Sequence, residues 1–238
     1  MTSPAYRRPL LILRPEPGAA GTLARAQALG LSARTVPLFT VGPLDWAPPA
    51  PEAFDAVMIT SANTLRHGGA DIARYQALPA YVVGGATAAA VRAAGFETVH
   101  IGPGDAIGLI DLLVQNGVAR VLHLCGADRR EPDSRGVAIT RIATYAARTV
   151  EQPQGLEAAL AEAPVAMLHS PRAAAHFARL VPDRRGIAIA AISANAAEAA
   201  GPGWQRVAIA EHPDDAALLA LAAHMCKHSD SLSEDKAG

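Results

Sequence analysis

The feature that most constrains the fold of this chain is an internal repeat. The segment MITSANT, which contains Ser61, resembles MLHSPRA, which contains Ser170, and the two serines are 109 residues apart. A second pair, VVGGATAAAVRAAG from Val82 and AISANAAEAAGPG from Ala191, has the same spacing. A repeat of about half the chain predicts two similar halves built from the same supersecondary units.

Short apolar runs bounded by Gly, Pro or Ser alternate with Ala-rich segments of helical period. Because strands that alternate with helices form parallel sheets covered on both faces, the pattern predicts the α/β fold class. Ligands of such sheets bind at the carboxyl ends of the strands, so the residues after each strand are site candidates. The runs predict buried strands at residues 10–14, 55–60, 80–83, 98–101, 120–125, 164–169, 187–192 and 206–209.

Two stretches rich in Val, Thr and aromatic residues, 33–41 and 139–150, fit neither sheet well and predict extended linker strands that pair with each other as an antiparallel connector. The polar C-terminal tail is expected to be disordered. The expected organisation is a discontinuous α/β domain of residues 1–35 plus 151–228, an inserted α/β domain of residues 43–138, linker strands at 36–42 and 139–150, and a tail at 229–238.

Composition excludes several classes of partner. The formal net charge is -1 and the charges are scattered, which argues against a nucleic-acid surface. No apolar run approaches the roughly 20 residues of a membrane span, and the N-terminal run is too short for a signal peptide. The distant Cys125 and Cys226 favour a reduced, cytoplasmic setting. The dispersed histidines and the lack of a GxGxxG spacing support neither a metal nor a nucleotide.

Polar residues follow most of the predicted strands. Helix capping alone accounts for the small ones, yet helix N-termini in the same place also bind anions. Each arginine is either a solvated surface residue or a partner for a carboxylate, and Tyr145 either packs its ring or uses its hydroxyl. The small polar candidates are Thr60, Ser61, Asn63, Thr87, Ser170, Ser193 and Asn195, and the arginines are Arg14, Arg129, Arg130 and Arg172.

In their order and spacing, these residues resemble the uroporphyrinogen-III synthase family. The resemblance implies two flavodoxin-like parallel-sheet domains joined by a two-stranded β linker, a monomer, and no metal or organic cofactor. The segments that carry it are RP at Arg14, FDAVMITSAN from Phe54, VVGGATAAAVRAAG from Val82 with Gly84, LCG ending at Gly126, the linker tyrosine Tyr145, HSPRAAAHF from His169 and AISANAAEAA from Ala191.

The resemblance also implies a reaction. Members of the family convert the linear tetrapyrrole hydroxymethylbilane to uroporphyrinogen III, with loss of water, inversion of ring D through a spirocyclic intermediate, and closure of the macrocycle, in porphyrin and heme biosynthesis. The enzyme that makes hydroxymethylbilane is then a further candidate partner. The alternatives are a two-lobed protein that binds a polycarboxylate and an inactive relative of the synthases.

The family pattern assigns roles to particular positions. Tyr145 matches the linker tyrosine and is the expected catalytic residue, while Thr87 is expected to bind substrate together with Ser61 and Asn63. The chain departs from the pattern at Ala196, where relatives often have threonine. Either Asn195 or Ser193 supplies the missing donor, or the position is dispensable.

Overall fold

The computed structural model describes residues 8–128 and 133–227. They divide into two compact units, one made of the residues up to Thr40 together with those from Thr149 onward, and the other of Val41–Arg148. Among the described residues, no helix combines the length and the apolar character that a membrane crossing requires.

The first unit contains a five-stranded sheet in the order β11-β10-β9-β1-β2, and all of its strand pairs are parallel. Helices follow β1, β9 and β10 and return the chain to the start of the next strand, as parallel pairing requires. The elements are β1 (Leu10–Ile12), α1 (Gly18–Ala28), β2 (Ala33–Thr35), α5 (Leu156–Leu160), β9 (Val165–Leu168), α6 (Pro171–Leu180), β10 (Ala188–Ala191), α7 (Ala194–Ala200), β11 (Arg206–Ile209) and α8 (Asp215–Lys227).

The second unit contains a six-stranded sheet in the order β3-β8-β7-β4-β5-β6. The pairs from β8 to β6 are parallel. The elements are β3 (Phe39–Pro43), β4 (Ala56–Ile59), α2 (Asn63–His67), β5 (Ala80–Val82), α3 (Gly85–Ala93), β6 (Val99–Ile101), α4 (Ala106–Gln115), β7 (Arg120–Gly126) and β8 (Ala138–Thr149), with short 3-10 helices at Pro51–Ala53 and Ala70–Tyr75.

The central strands are buried at every position, which explains why they read as continuous apolar runs in the sequence. In the first sheet, Leu10 and Ile12 face a core shared with α1 and α8. In the second, Val57 and Ile59 pack on the side of α3, while Met58 packs on the side of α4. All eight predicted strands are present in the structure, and the α/β class with parallel sheets is confirmed.

The expectation that residues 33–41 and 139–150 fit neither sheet is wrong in part. Ala33–Thr35 forms the edge strand β2 and pairs in parallel with β1, and β8 pairs in parallel with β7 from Ala138 to Tyr145. Neither strand is buried on both faces, so neither shows the apolar run by which the other strands were found. β3 lies next to β8 in the second sheet, and the Leu44 amide donates to the Thr144 carbonyl at 3.0 Å.

Candidate functional site

The carboxyl end of the first sheet carries a cluster of charged and polar side chains around Asp215, the first residue of α8. Arg14, just after β1, donates from Nη1 to Asp215 Oδ1 at 2.7 Å. His169, just after β9, places Nε2 at 2.8 Å from the same oxygen. On α1, the Thr22 hydroxyl lies 2.8 Å from Oδ1, and Arg25 pairs with Oδ2. One carboxylate therefore joins three separate parts of the unit.

The charge states in this cluster follow from its contacts. Burial alone raises the pKa of the Asp215 carboxyl, but hydrogen bonds from Arg25, His169 and Thr22 outweigh burial and lower that pKa to about 2. Burial lowers the pKa of His169, against the opposing effect of its bond to Asp215. At neutral pH Asp215 is an anion and His169 is neutral, so the imidazole proton is on Nε2, where it is donated to Asp215.

Two serines at the same end of this sheet cap helices. The Ser170 hydroxyl accepts from the Ala173 amide at 3.1 Å and begins α6. The Ser193 hydroxyl accepts from the Ala196 amide at 3.3 Å and begins α7. Each cap satisfies one of the N–H groups that a helix leaves unpaired at its start. Helix capping by these serines, expected from the sequence, is therefore present. Their part in substrate binding stays a prediction.

Three other residues of α6 and α7 bear on the predicted site. The guanidinium of Arg172 lies over the Phe39 ring, 4.7 Å from its centroid. Asn195 is exposed on the first turn of α7. Ala196, where relatives often have threonine, is fully buried, so a side chain at this position points into the packed interior and away from solvent.

The carboxyl end of the second sheet has a different character. After β4, the hydroxyl of the buried Thr60 lies 3.2 Å from Nε2 of His123 on β7. The Ser61 hydroxyl accepts from the Asn63 amide at 3.2 Å, and Asn63 Oδ1 in turn accepts from Arg66 at 2.9 Å. The contacts beside the strands are thus made by hydroxyl, imidazole and backbone N–H groups, and the arginine lies farther out on α2.

Tyr145 and Gly126 lie side by side at this end of the sheet, paired in register between β8 and β7. The phenol ring covers the glycine so closely that a Cβ atom on residue 126 would come within 2.7 Å of Cε2 and 3.0 Å of the hydroxyl oxygen. The Tyr145 side chain is largely buried, with His67 of α2 as a ring neighbour at 6.2 Å between centroids. The structure therefore brings these two predicted residues together.

The start of α3 is open. Gly84 is the residue before the helix, and neither it nor Gly85 has a heavy atom of the described residues within 4 Å of where a Cβ would lie. Backbone N–H groups at a helix start with such space around them can be approached closely by an anion. Thr87, in the first turn of α3, is buried with 8% of its surface exposed.

Sequence reasoning missed several residues that shape these two edges. Asp215 is about 200 positions from Arg14 and from Thr22, so no local pattern connected them. Arg25 lies inside α1, and His123 lies inside an apolar run. His169 stands directly before the candidate Ser170, which was the one available signal. Arg129, Arg130 and the tail at 229–238 lie outside the described residues. In residues 8–128 and 133–227, no three His, Cys, Asp or Glu side chains form a group suited to a metal ion.

Comparison with known proteins agrees with the resemblance seen in the sequence. The family model of uroporphyrinogen-III synthase HemD matches residues 21–220. A uroporphyrinogen-III synthetase structure from Helicobacter pylori 26695 is 18% identical, with a TM-score of 0.65 over 92% of this chain and 99% of its own, and so shares the fold.

Two uroporphyrinogen III synthase structures from Thermus thermophilus, a mutant and the wild type, are 17% and 16% identical. They cover 92% of this chain and 100% and 96% of their own, with TM-scores of 0.48 and 0.40. No curated protein gives a significant match. Because the family model spans most of the chain, the chain belongs to the uroporphyrinogen-III synthase family, the cyclising lyases of porphyrin biosynthesis that act on hydroxymethylbilane.

Proposed function

We propose that the chain converts hydroxymethylbilane to uroporphyrinogen III by a route in which Tyr145 assists the loss of water and the surrounding donors fold the substrate for ring inversion. The C–O bond of the hydroxymethyl group breaks, and the oxygen leaves as water after receiving a proton. The resulting azafulvene is attacked by the substituted carbon of ring D, which gives the spirocyclic intermediate. That intermediate reopens and recloses with ring D inverted, and a proton is lost.

The placement of Tyr145 is the observation that carries this proposal. Its ring lies over Gly126 at the carboxyl end of a parallel sheet, the usual position of ligands in this fold class. The hydroxyl can give a hydrogen bond or a proton to a departing hydroxyl, and partial burial shields such a bond from competing water. No other tyrosine of the described residues lies at the carboxyl end of either sheet.

Binding of the substrate is proposed to depend on groups that recognise its many carboxylates. Arg14 and Arg172 offer guanidinium groups, and the open start of α3 at Gly84 offers backbone N–H groups. The polar residues assigned to the same task are Thr60, Ser61, Asn63, Thr87, Gly126, Ser170, Ser193 and Asn195. Arg129 and Arg130 are assigned to it from the sequence alone. With carboxylates held, the reaction is controlled mainly by how the chain of pyrroles is oriented.

The architecture is proposed to derive from duplication of one flavodoxin-like domain, with residues 36–42 and 139–150 as the crossings between the copies. The repeat spacing of Ser61 and Ser170 and the parallel sheet in each unit support this view. We further propose that the protein acts as a cytoplasmic monomer. Its two cysteines, Cys125 and Cys226, are both buried and do not form a disulfide, which suits a reducing compartment.

Generation of hydroxymethylbilane in the presence of the purified protein, followed by oxidation and separation of the uroporphyrin isomers, tests this proposal. Hydroxymethylbilane left alone closes without inversion to isomer I, so an excess of isomer III demonstrates catalysis with inversion. Isomer I alone, with tight binding of the linear substrate, would instead indicate the polycarboxylate-binding alternative. Isomer I without binding would indicate an inactive relative.

A further inference from the structure

The carboxylate of Asp215 is more heavily used than a helix start requires. The first turn of α8 is already capped by the neighbouring Asp214, whose Oδ1 accepts from the Ala217 amide at 2.8 Å. The Asp215 side chain is therefore not needed as the helix cap. Instead it accepts from Arg14, Thr22, Arg25 and His169, which come from the loop after β1, from α1 and from the end of β9.

The cluster is placed where it can act on a ligand. Arg14 and His169 each lie just after a strand of the parallel sheet, at the carboxyl end. The side chains of Arg14 and Asp215 keep 31% and 21% of their surface exposed, so the guanidinium is held by the carboxylate and still reaches solvent. Two arginines against one carboxylate leave the three groups with a net positive charge, which favours an anionic ligand.

A second contact restricts the same guanidinium. Arg14 lies against the first residue of α1, Gly18, so closely that a Cβ at residue 18 would come within 2.5 Å of Nε and 2.8 Å of Nη2. Glycine is a less favourable helix residue than alanine, so its presence here gains room for the arginine at the expense of helix propensity. Asp215 and Gly18 together fix where the guanidinium lies.

We propose that Asp215 is a positioning residue, which holds the Arg14 guanidinium in the orientation that binds a substrate carboxylate. The proposal rests on the proposed function, in which Arg14 contacts the substrate. It opposes what simple electrostatics predicts, since removal of a negative charge beside the site would by itself strengthen the binding of a polyanion.

The test measures binding in two ways, as KM for hydroxymethylbilane in the isomer III assay and as Kd for uroporphyrin III, the oxidised product, by fluorescence titration. Asp215→Asn keeps the shape of the side chain and loses its charge, and we expect KM and Kd to rise about fivefold with kcat nearly unchanged. Gly18→Ala moves the guanidinium without altering any charge, and we expect a rise of similar size with unchanged thermal stability.

A double-mutant cycle separates positioning from a general structural effect. In the background of Arg14→Ala, which by itself raises both constants, neither Asp215→Asn nor Gly18→Ala should raise them further. The matched control is Asp55→Asn, which removes a carboxylate bonded to Arg120 at the amino end of β4 and should lower stability with KM and Kd unchanged.

Several outcomes would overturn the proposal. It fails if Asp215→Asn lowers or leaves unchanged both constants while Arg14→Ala raises them, because Arg14 would then bind substrate without help. It also fails if the effects of Asp215→Asn and Arg14→Ala simply add. If Arg14→Ala has no effect on either constant, the role of Arg14 falls along with that of Asp215, while the formation of isomer III by the unaltered chain still supports the reaction. The Kd for uroporphyrin III tests the role of Asp215 even if no isomer III is formed.

Discussion

The carboxyl ends of the two sheets carry different chemistry, although the sequence repeat relates the loops that form them. In the first sheet, the ionised Asp215 accepts hydrogen bonds from two arginines, a histidine and a threonine. In the second, the corresponding edge holds a hydroxyl–imidazole contact and a tyrosine that lies over a glycine. The carboxyl end of the first sheet (the first edge) is suited to holding carboxylates. The carboxyl end of the second sheet (the second edge) is suited to donating a hydrogen bond or a proton.

The starts of α7, in the first unit, and of α3, in the second unit, also differ. Ser193 caps α7 with its hydroxyl, whereas the residue at the same place in the repeat, Gly84, has no side chain with which to cap α3. Matching positions of the sequence repeat therefore differ, because a side chain caps one N–H group at the start of α7 and none at the start of α3. Substitutions of Tyr145 and Gly126 should mainly change kcat, and those of Asp215 and Ala196 should change KM or stability.

The largest expected effect is that of Tyr145→Phe, which removes the hydroxyl proposed to assist loss of water. We expect kcat for isomer III to fall about 100-fold, in the range of a lost general acid, with little change in thermal stability. Tyr81→Phe, on β5, is the matched control, because it removes a hydroxyl that accepts from Asn116 at 3.0 Å. An unchanged kcat in Tyr145→Phe would show that the Tyr145 hydroxyl does not assist the loss of water.

Gly126→Ala should reproduce part of that loss without altering the tyrosine itself. The new methyl group would overlap the Tyr145 ring, which must turn away, and we expect kcat to fall about tenfold, because misplacing a catalytic group by about 1 Å is costly. Gly102→Ala, at the end of β6, crowds the side chain of Leu109 at 2.9 Å and serves as control. If both variants lower kcat equally, the cause is general crowding.

At the first edge, Asp215→Asn should change how stability depends on pH. A carboxyl with a pKa of about 2 in the folded chain, against an ordinary 3.8, contributes about 2 kcal/mol that is present above pH 4 and lost as pH falls through 2. Urea unfolding of the unaltered chain and of Asp215→Asn should therefore differ by about that amount at pH 7 and converge near pH 2. Asp183→Asn, which breaks an exposed pair with Arg185, is the control. A gap that stays constant with pH would show that the stability difference does not arise from the charge.

The smallest effect is expected for Ala196→Thr, which introduces the residue common in relatives. Because Ala196 is fully buried, the larger side chain should cost about 1 kcal/mol and lower Tm by about 2–4 °C, with no gain in turnover. Ala194→Thr, at an exposed position of the same helix, controls for helix propensity. A rise in turnover would show that the first sheet also takes part in the chemistry.

Much of the fold could be predicted because its signals are local. An apolar run such as Ala56–Ile59 shows that a strand is buried on both faces, and the cap at Ser170 shows where a helix starts. The sequence predicted β8 as a linker outside the sheets, because its residues are mostly half-buried and mix apolar with polar side chains, with no apolar run. A strand of this kind is identified by its pairing with β7, and pairing is not written in any short segment.

For the candidate site, the sequence by itself determined which residue types stand at the carboxyl ends of the strands, since the turn that follows each strand is set by neighbouring residues. Only the tertiary structure decided which of them meet. Arg14 and Asp215 are separated by 201 positions along the chain and by 2.7 Å in space. Tyr145 reaches Gly126 only through the register of two adjacent strands. Strand order and side-chain packing fix such contacts, and these depend on the whole core rather than on local pattern.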